Sequence, residues 1–252
     1  MTLLADPAVL AVLIVAVILL GMAKGGLSGV GALATPLAAL VLPPATAAAL
    51  LLPILIVQDV ISVWAFRKTW DGWIVARMLP GAALGVVAGW FYADRVDEAR
   101  LMAALGAITL GFGLYRLWVE RGGRIVAASR SPGWVGSLFG AATGLTSQIA
   151  HAGGPPFQMW VTPRQLPHLT YIGTSSILFA AINWLKLPAY MALGAFPHEV
   201  IVAAALLMPV AIVSTLVTVR WMKQMRAERF YVLIYLLMVA LGAKLLWDGV
   251  HG

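Results

Sequence analysis

Ser147, Gln148 and His151, followed at once by Gly153, Gly154, Pro155 and Pro156, set polar and helix-breaking residues into the stretch ATGLTSQIAHAGGPPFQMW, residues 142–160. The imidazole of His151 offers a donor to an anion or an acceptor for a proton. Ser147 and Gln148 stand one helical turn earlier, on the same face, able to serve a ligand or to bond a neighbouring helix. A second stretch, AKGGLSGVGALATP, places Lys24 beside Gly25 and Gly26, with Ser28 just beyond. Lys24 would bring a full positive charge to a ligand, or snorkel to an interface. Asp59 lies deep in the apolar run LIVQDVISVW, where an ionisable side chain is by default functional. It suits a coupling proton, as His151 does, or a pairing with a base. Because a carboxylate repels an anion, Asp59 belongs beside an anion pocket rather than inside it.

These residues need elements that interrupt themselves. Gly153 and Gly154 would loosen the chain, and Pro155 and Pro156 suit the first turn of a new half-helix, where a missing N–H is harmless. The N-terminal end of a half-helix exposes N–H donors and the positive end of a dipole, a seat for an anion. Two such openings facing each other, with Lys24 between them, would form an electropositive pocket.

Composition says where those elements sit. Of 252 residues, 62% are hydrophobic and only 11% are charged, against about 25% charged in soluble domains. Runs such as 8–20, 45–65 and 200–219 approach or reach the length that crosses about 30 Å of hydrocarbon. The first run follows Asp6 and no basic residue, so it is expected to stay as a helix and not to be cleaved. The net charge of +7 lies in short loops, which argues against a nucleic-acid partner. The chain has no cysteine, which excludes disulfides and thiolate chemistry. No His/Asp/Glu spacing suggests a metal site, and no cofactor motif stands in its required context.

The chain also repeats. GMAKGGLSGVGALATPL, from Gly21, sets against GAATGLTSQIAHAGGPP, from Gly140, matching Gly21 to Gly140, Gly25 to Gly144, Ser28 to Ser147 and Pro36 to Pro155. Asp59 then faces Asn183, MLPGAALG at 78–85 faces LMPVAIVS at 207–214, and Gly113 faces Gly242, with the offset growing from 119 through 124 to 129. The common order implies a duplicated half, residues 1–125 and 126–252. Each half divides into five segments, about 7–23, 28–42, 45–66, 73–93 and 98–118, then about 132–149, 154–163, 169–186, 198–219 and 230–248.

If all ten segments cross, one face collects Arg67, Lys68, Arg116, Arg121, Arg124, Arg130, Arg164, Arg220, Lys223, Arg226 and Arg229. If the two short segments only re-enter, that basic set is split between faces. The positive-inside rule prefers ten crossings, with both termini outside. Five helices per half then force the second half upside down. Repeats of that kind, with broken helices at mid-membrane, are built as transporters. Gly81, Gly85 and Gly89 form GxxxGxxxG, a stripe for close helix packing, within the chain more often than between subunits.

The stretches TGLTSQIAHAGGPPFQMWVTPRQLPHLTYIGTSSILFAAINWLKLPAYMALG and GMAKGGLSGVGALATPLAALVLPPATAAALLLPILIVQD resemble the two half-signatures of the sulfite exporter TauE/SafE family. HAGGPP and the run Asn183, Lys186, Leu187, Pro188, Tyr190 carry the resemblance most specifically. It implies an all-α, polytopic transporter of the bacterial inner membrane that exports sulfite, a sulfonate or a related sulfur-containing anion by alternating access. Expected ligands to the anion are Lys24, Gly25, Gly26, Ser28, Ser147, Gln148, His151, Gly153, Gly154, Pro155, Asn183 and Lys186. Lys186 is expected to end its span near the outer face, as anchor or ligand. The partners implied are the small anion and the lipid bilayer; a homodimer is left open. Rival readings are a transporter of the same fold for another organic anion, an importer, a structural subunit, and a membrane-embedded enzyme using His151 and Asp59. The last lacks paired carboxylates, an activated nucleophile and metal ligands.

Overall fold

A computed structural model describes residues 3–27, 29–123, 131–221 and 228–251. Ser28 and the loop cations Arg124, Arg130, Lys223 and Arg226 lie outside the described residues. Among the described residues the fold is all helical. In chain order the helices are α1 (Pro7–Lys24), α2 (Ala34–Ala38, entered through a 3-10 turn, Val30–Leu33), α3 (Pro44–Phe66), α4 (Gly72–Arg95) and α5 (Glu98–Glu120). Then follow α6 (Gly133–Ala150), α7 (Gly154–Val161, running into a 3-10 turn, Thr162–Arg164), α8 (His168–Ala192), α9 (His198–Trp221) and α10 (Glu228–His251).

Local chemistry sets the ends. Asp6, Asp71 and Asp97 cap α1, α4 and α5, each carboxylate accepting from an N–H of the first turn; this satisfies donors the helix itself leaves free. Pro7 and Pro44 start α1 and α3. Pro53, Pro80, Pro188 and Pro209 lie inside helices, which membrane helices tolerate because neighbours take up the freed carbonyls. For that reason α8 does not stop near Lys186, as its sequence suggests, but runs on to Ala192.

The burial pattern is inverted relative to a soluble domain. Gln58, Asp59, Ser62, Thr143, Ser147, Gln148, Asn183 and Lys186 are buried, while Val60, Leu84, Leu206 and Val213 are exposed. Exposed Trp64, Trp118, Trp134, Trp221 and Trp247 stand toward helix ends, where amphipathic rings suit a membrane interface. Among the described helices, α1, α3, α4, α5 and α9 are long and apolar enough to cross a membrane.

Small residues bring the helices together. A Cβ on Gly81, Gly85, Gly140 or Gly144 would stand within 2.1 Å of a backbone oxygen of the facing helix, so α4 and α6 pack backbone to backbone. The GxxxGxxxG stripe is therefore used within the chain. Gly21 of α1 and Gly25 just after it likewise press on Ser214 and Thr218 of α9. Both pairs run parallel. Helices α5 and α10 pack antiparallel through Gly106 against Leu246 and Gly242 against Leu110. Helices α3 and α8 are antiparallel too, with Asp59 at Asn183 and Phe66 at Gly173. Helix α1 runs parallel to α3, since Gln58 bonds Val17 O and Ser62 bonds Lys24 O. The stretches between α1 and α3, and between α6 and α8, therefore carry the chain back the way it came.

Candidate functional site

The two breaks expected from the sequence exist, and each is made by a left-handed residue. Just past the end of α1 stands Gly26, with φ +123°, and Leu27 N–H donates back to Met22 O at 3.0 Å. Just past the end of α6 stands His151, with φ +50°, and Ala152 N–H donates back to Thr146 O at 3.3 Å. The first is the six-to-one bond that closes a helix whose next residue is left-handed; the second spans one residue more. Glycine turns left-handed freely, whereas for a residue with a Cβ it costs about 1–2 kcal/mol. The second break thus comes from His151 itself. Gly153 does not loosen the chain: its φ is −72°, and a Cβ there would stand 2.8 Å from Thr143 O. It is small because the chain is tight.

The ring of His151 holds that strained conformation. One nitrogen, Nε2, is 2.9 Å from Ala48 O, an acceptor only, so Nε2 carries the proton. The other, Nδ1, then accepts from Lys186 Nζ at 2.6 Å. Lys186 is fully buried and also reaches Ser147 O and Oγ, both at 3.2 Å. The expectation that Lys186 ends a span near a face is thus corrected. The continuing α8 carries it into the interior, where His151 positions it. Both nitrogens of His151 are committed to the protein.

A second buried chain of bonds begins at Lys24. Its ammonium forms an ion pair with Asp59 Oδ1, and Asn183 Nδ2 donates to Asp59 Oδ2 at 2.6 Å. Asp59 is 1% exposed and lies behind Lys24 and Asn183. Among the described residues no carboxylate forms an ion pair with Lys186. Lys24 is thus the ammonium at the edge of this network, with its carboxylate partner set behind it.

Between these two chains lies a cavity of about 90 Å³, lined by Lys24, Gly29, Ser147, His151, Gly154, Gln158, Ser175, Ser176 and Asn183, with Leu55, Phe157 and Phe179 as apolar walls. Helix α7 begins at its edge. Pro155 and Pro156 occupy the first turn and have no N–H, and Phe157 N–H goes to Gly153 O. Of this helix start only Gly154 lines the cavity with an N–H of its own, fewer donors than an uninterrupted half-helix would offer.

The structure thus gathers Lys24, Ser147, His151, Gly154 and Asn183 around one space, with Asp59 and Lys186 behind it. Gly25 serves packing on Thr218, Gly26 makes the turn, and Gly153 and Pro155 shape the start of α7. Gln148 faces another, larger cavity of about 500 Å³ near Ala48, Tyr190 and Glu199. Gln158, Ser175 and Ser176 are lining residues that sequence reasoning passed over. A buried glutamine one turn after a Pro–Pro pair was the available signal.

A small oxyanion meets in this space one cation, hydroxyls, an amide and a helix start, with aromatic walls. The family model described as Sulfite exporter TauE/SafE matches residues 13–245, nearly the whole chain. The chain belongs to the TauE/SafE family. It is therefore a multi-pass membrane protein of a transporter family, and the match agrees with the signatures read around both breaks. No curated protein and no solved structure matched it. In this TauE/SafE member the two signature stretches are the two walls of one cavity.

Proposed function

We propose that this TauE/SafE protein is a secondary transporter of the bacterial inner membrane that exports sulfite or a related small sulfur-containing anion by alternating access. The observation that carries the proposal is the small cavity where the two helix breaks meet, with Lys24 at its wall and the polar network of Asp59, Asn183, His151 and Lys186 behind it. Its volume suits an anion of a few heavy atoms. In this reading Lys24, Ser147, Asn183 and the Gly154 N–H hold it.

Ten crossings in two inverted halves agree with the helix directions. Exchanging α1–α5 with α6–α10 turns the α1–α9 contact into the α6–α4 contact and the α3–α9 contact into the α8–α4 contact. The α3–α8 and α5–α10 pairs map onto themselves, both antiparallel. Had both short segments merely re-entered, those two pairs would run parallel. The same arrangement gathers Arg67, Lys68, Arg116, Arg121 and Arg164 on one face, which the positive-inside rule makes cytoplasmic, and leaves both termini periplasmic. One half rocking against the other would open the cavity to either side.

Binding is the first test. A ligand held only by the folded protein raises its unfolding temperature by mass action. Purified protein in detergent should unfold at higher temperature as sulfite or methanesulfonate is added, with no such rise for a choline salt of equal ionic strength lacking these anions. Equal responses to both would remove the cavity from consideration as an anion site.

A further inference from the structure

The central cavity has a neighbour that the export reading does not use. A wider space of about 400 Å³ opens on the basic face, lined by Arg116, Gln158, Thr162, Gln165, His168 and Tyr171. Gln158 lines both spaces, is 5% exposed and forms the wall between them. Its Oε1 accepts from Arg116 Nη1 at 2.9 Å. Its Nε2 stands at the two breaks, 3.6 Å and 3.8 Å from where Cβ atoms on Gly29 and Gly154 would lie.

Arg116 is held mainly by neutral groups, with one long ion pair to Glu120. Nη2 donates to Tyr235 OH at 2.6 Å, and the guanidinium lies over the Tyr235 ring, 4.8 Å from its centroid. The carboxylate of Glu120, half open to the surroundings, is 3.5 Å away. Nε is buried and has no hydrogen-bond partner among the described residues, a donor left unused at a cost in free energy. An oxyanion outcompetes an amide oxygen for a guanidinium because it brings a full negative charge opposite the cation, where the amide brings only a dipole. It can also take two N–H groups side by side.

We propose that Arg116 forms a second anion site, a loading site for a small monovalent oxyanion on the basic face, separated from the central cavity by Gln158. An anion that takes Arg116 from Gln158 releases the amide that forms the wall, and the way to Lys24 opens. The anion's identity as sulfite or a sulfonate rests on the proposed function; the site itself does not.

The chain has no native cysteine, so a single thiol reports on this space alone. In full-length Thr162→Cys, methanesulfonate should slow alkylation by an uncharged maleimide. That protection should survive Lys24→Ala with Asp59→Asn, which removes the charges at the central cavity, and should weaken by about tenfold or more in Arg116→Gln, the loss of a hydrogen bond to a charged group. Arg116→Lys, which keeps the charge but loses the fork, should fall between and stands in if Arg116→Gln does not fold. Protection absent in Thr162→Cys, unchanged by both Arg116 variants, or lost with Lys24 would overturn the loading site. Failure of the export reading would show instead as intact protection at Thr162→Cys without transport.

Discussion

Lys24 and Asp59 are a buried ion pair beside a cavity, so neither can be changed alone without exposing the other. Removing one partner of such a pair costs about 3–5 kcal/mol, because the remaining charge stays buried and unpaired. Lys24→Ala should therefore lose both sulfite binding and much of its stability. Adding Asp59→Asn should restore the thermal unfolding temperature and not the binding. Asp59→Asn by itself frees Lys24 from its competitor and should bind the anion more tightly than the native chain. If Lys24→Ala with Asp59→Asn binds sulfite as the native protein does, Lys24 serves structure only. At this scale the sequence showed residue types well and contacts poorly. Lys24, Asp59 and His151 stood out as ionisable groups in apolar runs. That both nitrogens of His151 are taken by Ala48 and Lys186 follows from a backbone carbonyl and a lysine more than thirty residues away in either direction. No local pattern encodes that. Gln158 was hidden because a buried amide looks like any other polar residue until the helix beside it is in place.

Helix limits were the most legible feature, since Asp caps, prolines and apolar runs act within a few residues. The exception, α8 running on past Pro188, arises because neighbouring helices compensate a proline that would end a helix in water. Register was less legible. The glycine alignment pairs Gly21 with Gly140, yet the contacts pair α1 with α6 about five residues later. Ser62 bonds the carbonyl of Lys24 as Lys186 bonds the carbonyl of Ser147, and Ser62 and Lys186 stand 124 residues apart. Glycines mislead here because α4 and α6 use them along their whole contact, not at one equivalent place. The direction of α8 can be tested with single cysteines in the cysteine-free chain. Lys68→Cys and His168→Cys should be blocked only by reagents that cross the membrane, and Asp97→Cys and His198→Cys should react from outside. Should His168→Cys label with Asp97→Cys, the stretch holding α7 does not cross, and the inverted repeat fails.

At the scale of the whole molecule, two half-signatures that look independent in the sequence form a single cavity. Both halves line that cavity: Lys24 comes from the first, Ser147, Gly154 and Asn183 from the second. A rocking motion of one half against the other must therefore alter the cavity, which is what alternating access requires. The proposed export needs no counter-ion. A cytoplasm held negative drives an anion outward by about 2.3 kcal/mol per charge for each 100 mV. The measurement that tests this most directly uses liposomes containing the purified protein, an imposed membrane potential and no pH or sodium gradient. Sulfite should move toward the positive side faster than in protein-free liposomes, and Lys24→Ala with Asp59→Asn should remove the difference. Flux equal to that of protein-free liposomes, or flux that persists unchanged in that double variant, would contradict an anion exporter built around this cavity.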